Sequence, residues 1–255
     1  MYPERRRRLG YTGKVCRKNC ASWESGGQGA SRWKRAIRDR RPVTGEGIPG
    51  QVRVGGFVLA GGGSTRFGRD KALARFGDEA LLARLCSVMR GVTPCVTIIG
   101  SPEKYASFGA ECIPDRWPGE GPLGGIITSL LTAAGTGGGH EVNIIIGCDM
   151  PFLTSEWLAY LVQRAQASEA EVVTPKSAYG LEPLCACWRT IAAAKLQRAF
   201  EGGVRKVTEA MKHLSMEVLD ETHWKRFDSA DRLFWNMNTP GDYEEAKRIL
   251  EAERA

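Results

Sequence analysis

The sequence predicts an α/β fold with a mostly parallel central sheet, and three observations carry that prediction. From Val54 onward, short apolar runs alternate with segments of helical periodicity, the pattern of repeated βαβ units. The run VNIIIGCDM (142–150) reads as continuously apolar up to Asp149, as expected of a strand buried on both faces. The run that opens the pattern ends in consecutive glycines followed by basic residues, where open α/β sheets bind their ligands.

The elements follow in order. VGGFVLA (54–60) is the first strand. ALLARLCSVMRGV (80–92) places apolar residues at helical spacing and stops at Gly91, so it is the first crossover helix. CVTIIG (95–100) is the second strand, and GPLGGIITSLLTAAG (121–135) a helix that opens with Gly and Pro. The third strand, 142–150, leads to TSEWLAYLVQRAQAS (154–168), a helix with a Thr or Ser cap just before Glu156. EVVTPKS (171–177) and PLCACWR (183–189) are short strands, followed by the helix IAAAKLQRAFEGG. A C-terminal helix spans 243–255, capped by Asp242 or Thr239.

The 255 residues are 42% hydrophobic, enough for a packed core, and residues 51–255 read as one domain. No run of about 18 apolar residues is present to span a membrane, and the first 30 residues lack the apolar stretch of a secretory signal. The expected location is therefore cytoplasmic. Six of the eight cysteines sit in apolar stretches and are expected to act as small hydrophobes. Cys16 with Cys20, and Cys185 with Cys187, lack the second pair that a zinc site needs. Charge divides unevenly along the chain. Residues 1–50 hold 13 Lys or Arg against 4 Asp or Glu, a surplus of +9, which leaves residues 51–255 at −2 of the total +7. No nucleic acid is expected on the core domain. The basic head, with RRRR at 5–8, has a composition that favours disorder. It is either a polyanion-binding tail or an extension upstream of a start near Val52 or Val54.

The segment LAGGGSTRFGRDK (59–71) carries the most chemistry. Backbone N–H groups grip an anion only where no Cβ blocks the approach, an opening that Gly61, Gly62 and Gly63 supply, while Arg66, Arg69 and Lys71 balance charge. Two better-known phosphate loops fail. Arg69 and Asp70 stand where a P-loop needs Lys and then Ser or Thr, and Arg66 replaces the third glycine of the dinucleotide fingerprint. Asp149, at the tip of an apolar strand, reads as a magnesium ligand or as a cap for the helix near Thr154. Asp115 could be a turn former ahead of Pro118. GLEPLCACW (180–188) is either a wall of an acceptor pocket or ordinary sheet core. Arg205 and Lys206 are either a seat for a phosphate or a solvated helix start. His140, His213 and His223 read as surface or packing residues.

LAGGGSTRFGRDK, GPLGGI (121–126), CDMPFL (148–153) and NMNTPGDY (236–243), in that order and spacing, resemble the molybdenum cofactor guanylyltransferases, the MobA-type nucleotidyltransferases. The resemblance covers roughly residues 55–250. It implies a Rossmann-like three-layer α/β/α nucleotidyltransferase fold that uses GTP and Mg²⁺ to attach GMP to molybdopterin bearing molybdenum, releasing pyrophosphate. It further implies that Leu59, Ala60, Gly61, Gly62 and Asp115 contact the nucleotide and that Lys71 and Arg66 face its phosphates. Asp149 would serve both GTP and Mg²⁺, and Asn236 and Asn238 would line the acceptor side. Contacts with molybdoenzyme maturation proteins belong to the same expectation. Where relatives can offer an Asn at the exit of the second strand, this chain has Gly100. The LAGG start and GPLGG look guanine-specific. The alternatives are a related transferase using CTP or acting on a sugar phosphate, and, from other classes, a non-catalytic nucleotide-binding adaptor or an RNA-binding factor working through the head.

Overall fold

Side-chain alternation along the strands sorts the apolar residues into two cores, one on each face of a single large sheet. Val58, Ile98, Ile144, Ile146, Cys185 and Cys187 enter one core, and Phe57, Ile99, Ile145, Ala186 and Trp188 the other. The computed structural model describes residues 53–61, 70–135, 139–228 and 230–253. The basic head, and Gly62, Gly63, Arg66 and Arg69 of the glycine loop, lie outside the described residues.

The strands are β1 (Val54–Leu59), β2 (Arg75–Phe76), β3 (Glu79–Ala80), β4 (Val96–Ile99), β5 (Glu111–Ile113), β6 (Val142–Gly147), β7 (Val172–Ser177), β8 (Gly180–Leu181), β9 (Cys185–Arg189) and β10 (Met216–Leu219). The longer helices are α1 (Leu81–Arg90), α2 (Pro122–Gly135), α3 (Ser155–Ala167), α4 (Ala193–Glu201) and α5 (Pro240–Ala252), joined by shorter helical turns. Helices α1, α3 and α5 supply the first core, and α2 and α4 the second, giving three layers. No described helix is long and apolar enough to cross a membrane.

The main sheet runs β10-β7-β9-β6-β1-β4-β5, with β8 paired to β7. β1 is parallel to β4 and β6, β4 to β5, and β10 to β7. β9 is antiparallel to both β6 and β7. Its direction has a simple cause. A parallel return needs a crossover of about a dozen residues or more, and the chain between Ser177 and Cys185 is too short for one. From β1 the chain winds to β4 and β5 on one side and returns to β6 on the other, so the winding reverses between β1 and β6.

Local signals set the helix starts. Thr154 caps α3, its Oγ1 accepting the Trp157 N–H at 3.3 Å, which removes the capping role considered for Asp149. Thr239 caps α5 while Asp242 returns the bond, so both residues considered for that cap take part, and the helix begins at Pro240 rather than Tyr243. The third strand ends at Gly147, three residues short of the expected Met150. There the chain turns, and the Cys148 N–H donates to the Leu59 carbonyl at 3.1 Å. Cys86, Cys148, Cys185 and Cys187 are buried as small hydrophobes, but Cys95, also expected in an apolar stretch, is exposed.

Candidate active site

A cleft of about 660 Å³ opens beyond the carboxyl ends of the parallel strands, where the winding reverses. β1 contributes Leu59, Ala60 and Gly61; Asp70 and Lys71 enter from the end of the glycine loop; Gly100 to Tyr105 follow β4. Asp115 and the turn to Pro122 follow β5, and Gly147, Cys148 and Asp149 follow β6. Leu59, Ala60, Gly61, Lys71, Asp115 and Asp149 are thus brought together from separate strand exits.

Gly61 has φ +141°, with open space around the position a Cβ would take. Backbone strain, not crowding, demands glycine here, and the absent side chain leaves the N–H accessible. Lys71 opens a three-residue 3₁₀ turn, and its Nζ donates to Asn238 Oδ1 at 2.8 Å. The Met237 N–H donates to the Asp149 carbonyl at 2.7 Å, so the NMNTP segment is tied to both Lys71 and the end of β6. Asn236 instead donates to the Phe234 carbonyl at 3.4 Å, and neither asparagine lines the cleft itself.

Asp149 Oδ1 is buried and has no hydrogen-bond partner among the described residues. Burial raises its carboxyl above the ordinary aspartate range, while Lys71 and the residue's own N–H pull the other way. A Cβ on Gly147 would stand 2.8 Å from that oxygen, so glycine keeps the space beside it clear. An ionised oxygen so placed calls for a cation, and a hard carboxylate donor suits a hard divalent metal ion. Among the described residues no group of three or more His, Cys, Asp or Glu forms a self-sufficient metal cluster, so substrate oxygens and water must complete any such shell. Burial and the neighbouring Asp149 push the Cys148 thiol well above its usual range, which disfavours the thiolate. None of His140, His213 and His223 lines the cleft.

On the other wall, Asp115 Oδ1 accepts the Trp117 N–H at 3.1 Å and the Thr128 hydroxyl at 2.9 Å. It forms the expected turn and still faces the cleft. Helix α2 sits close because Gly124 and Gly125 leave room: a Cβ would fall 3.2 Å from Trp117 and from Leu59, respectively. Gly100 is under the strictest constraint. A Cβ there would lie 2.1 Å from the Ala60 carbonyl oxygen, so no side chain, Asn included, can occupy the β4 exit in this backbone.

The MobA-like NTP transferase domain matches residues 56–215. The chain belongs to this family. It is 34% identical over 210 residues to the molybdenum cofactor guanylyltransferase of Rhizobium leguminosarum bv. trifolii, covering 81% of this chain and 97% of the relative. With the molybdenum cofactor guanylyltransferase of Desulfosudis oleivorans it shares 28% identity over 203 residues, 79% and 98% of the two chains. Among solved structures, molybdopterin-guanine dinucleotide biosynthesis protein A from Archaeoglobus fulgidus superposes with a TM-score of 0.67 at 26% identity, covering 77% and 98%. The 2-C-methyl-D-erythritol 4-phosphate cytidylyltransferase of Thermus thermophilus superposes at 0.57 and 15% identity, covering 78% and 99%, and shares the fold alone.

For this MobA-like transferase, several cleft residues were not legible as such. Asp70, Lys104 and Tyr105 line the cleft, the last two both donating to Asp70, and only this contact across the fold reveals it. GLEPLCACW divides between its two readings: Cys185 to Trp188 are buried sheet core, whereas Leu184 lines the cleft. Arg205 is committed elsewhere than to a free phosphate seat. Its Nε donates to Glu120 at 2.7 Å, its Nη1 to the Phe200 carbonyl at 2.7 Å, and its guanidinium lies 4.0 Å from the centre of the Phe200 ring. Trp117 packs on the same ring at 5.2 Å. Arg205 therefore anchors the 114–122 turn that lines the cleft. Arg205→Ala is expected to raise the KM for nucleotide roughly threefold to tenfold, a modest effect because the Glu120 pair is half exposed, and to leave the KM for acceptor unchanged. Steady-state kinetics with each substrate varied separately check this, and a rise confined to the acceptor would restore the phosphate-seat reading.

Proposed function

We propose that this chain transfers GMP from GTP to molybdopterin bearing molybdenum, releases pyrophosphate, and so forms the guanine dinucleotide form of the cofactor. The observation that carries this reading is the buried Oδ1 of Asp149, without a partner among the described residues, in a cleft that also holds Lys71 and the open turn at Gly61. The match to relatives named molybdenum cofactor guanylyltransferase supports the choice of substrates.

In this reading Leu59, Ala60, Gly61 and Gly62 lie along the nucleoside and its first phosphates, and Asp115 faces the nucleoside end. Gly125 lines the cleft without a side chain, in keeping with the roomier floor that a purine asks for. Lys71, with Arg66 from the glycine loop, offsets charge on the β- and γ-phosphates, and Asn236 and Asn238 lie on the acceptor side. Asp149 would hold Mg²⁺, which when bound supplies Lewis-acid polarisation of phosphate oxygens. The terminal phosphate of the pterin attacks the α-phosphorus. A new P–O bond forms there as the bond to the β-phosphate breaks, and the electron pair leaves on pyrophosphate, whose charge Lys71 meets. A phosphate monoester is already mostly deprotonated near neutral pH, so no general base is needed, in accord with a cleft that no described histidine lines. The same reading places the reaction in the cytoplasm, with molybdoenzyme maturation proteins receiving the product.

Pyrophosphate release measured with GTP, CTP and UTP, each with the molybdenum-bearing pterin, tests the proposal. Turnover is expected with GTP. A preference for CTP would overturn the guanylyl assignment, and nucleotide binding without release from any of the three would make the chain a binding protein instead.

A further inference from the structure

A carboxylate in a polyphosphate cleft repels the ligand unless it is offset, as Asp149 is by a cation in the reading above and Asp115 by the turn it holds. Asp70 also lines the cleft, beside Lys71. Both of its oxygens are committed. Oδ1 accepts the Ala72 N–H at 3.1 Å and thereby caps the 3₁₀ turn whose first residue is Lys71. Oδ2 accepts the Tyr105 hydroxyl at 2.7 Å and the Lys104 ammonium at 3.4 Å.

The two partners of Oδ2 are unequal. Lys104 is 59% exposed and its contact is long, so water screens most of its pull. Tyr105 is only 2% exposed, and its ring occupies the space that Gly100 leaves by having no side chain. Its N–H donates to the Ser101 carbonyl at 3.0 Å, and its ring packs on Phe108 at 6.5 Å. Burial and the adjacent carboxylate raise the phenol far above its ordinary value, so it is a proton donor at every working pH. A short charge-assisted hydrogen bond from a rigid donor is the strong kind.

We propose that Asp70 and Tyr105 are positioning residues for Lys71: the buried phenol fixes the carboxylate, the carboxylate fixes the turn, and the turn aims the ammonium into the cleft. This inference rests on reading the cleft as a nucleoside triphosphate site. It gives a carboxylate in an anion site a task that needs no contact with substrate, and it explains why the β4 exit carries a large phenol against a bare glycine.

A double-mutant cycle between Tyr105→Phe and Lys71→Ala tests it, read as the Kd for a fluorescent GTP analogue at constant Mg²⁺, with thermal unfolding followed in parallel. In the wild-type background Tyr105→Phe is expected to weaken binding about tenfold. In the Lys71→Ala background the same change is expected to have no further effect, because its action passes through the missing ammonium. Asp70→Asn, which keeps a good capping side chain, should lose less than Asp70→Ala. Equal losses from Tyr105→Phe in both backgrounds would overturn the positioning role alone. A wild-type chain that binds no GTP analogue would overturn the nucleotide reading, and this inference with it.

Discussion

Asp149→Asn is expected to abolish nucleotidyl transfer, by a factor on the order of a thousand, and at the same time to raise the unfolding temperature at neutral pH. The loss of activity follows from removing the one carboxylate in the cleft whose buried oxygen lacks a partner among the described residues. The gain in stability follows from the direction of its titration. Burial raises the folded-state carboxyl above the value it has when unfolded, so folding carries a charge penalty at any pH above the raised value. An amide of the same shape carries none. As pH falls through the raised value, the aspartate takes up a proton in the folded protein and the penalty shrinks. Below the unfolded value it is gone, and the two proteins should then melt together. Thermal unfolding across pH 3 to 8 without divalent cations, paired with turnover, checks both halves. A variant that keeps near-full turnover would show that Asp149 holds no metal. A variant less stable than wild type at neutral pH would show that its charge is compensated within the fold.

The second large effect is expected at Gly100. Gly100→Ala should cost about 3 kcal/mol of unfolding free energy and remove nucleotide binding with it. The added methyl would meet the Ala60 carbonyl oxygen at 2.1 Å and the Tyr105 ring at 2.8 Å. A side chain tip could swing away, but a carbonyl on a paired strand cannot. Ala60 donates to the Ile99 carbonyl and Gly100 to the Ile113 carbonyl, both at 2.9 Å, so relief would pull apart the exits of β1, β4 and β5, the frame of the cleft. Gly121→Ala is the control. Its φ is +90° with no atom within 4 Å of the new carbon, so it should cost only backbone strain, about 1 kcal/mol. Denaturant unfolding of both variants measures the contrast. A Gly100→Ala protein within about 0.5 kcal/mol of wild type would mean that the strand exits are not as closely apposed as described.

What could be read along the chain was whatever depends on near neighbours. Apolar runs marked β1, β4 and β6, helical spacing marked α1 to α4, and the capping residues Thr154 and Thr239 marked where helices begin, because each signal lies within a turn or two of the residues it governs. The glycine loop and Asp149 were recognisable as site candidates for a related reason: strand ends are places where polar residues have few purposes other than turns and ligands, whereas Asp115 read as a turn former and was named for the site only by the family resemblance. The edge strands β5 and β10 were not recognised. They are short and carry charged Glu111 and Glu217, so neither periodicity nor apolar content set them apart from loop.

The sequence by itself thus determined that this is an α/β chain with a glycine-rich, basic segment after β1 and a carboxylate after β6. The tertiary structure alone decided how those parts become a site. It turned β9 against its neighbours, set Asn238 against Lys71 across 167 residues of chain, bound Arg205 to Glu120 across 85, and put the Tyr105 phenol on Asp70 across 35. Periodicity records which face of an element is buried but not which element covers it. A hydrogen bond between distant residues leaves no spacing in the sequence, so its partner becomes known only when the chain has folded back on itself.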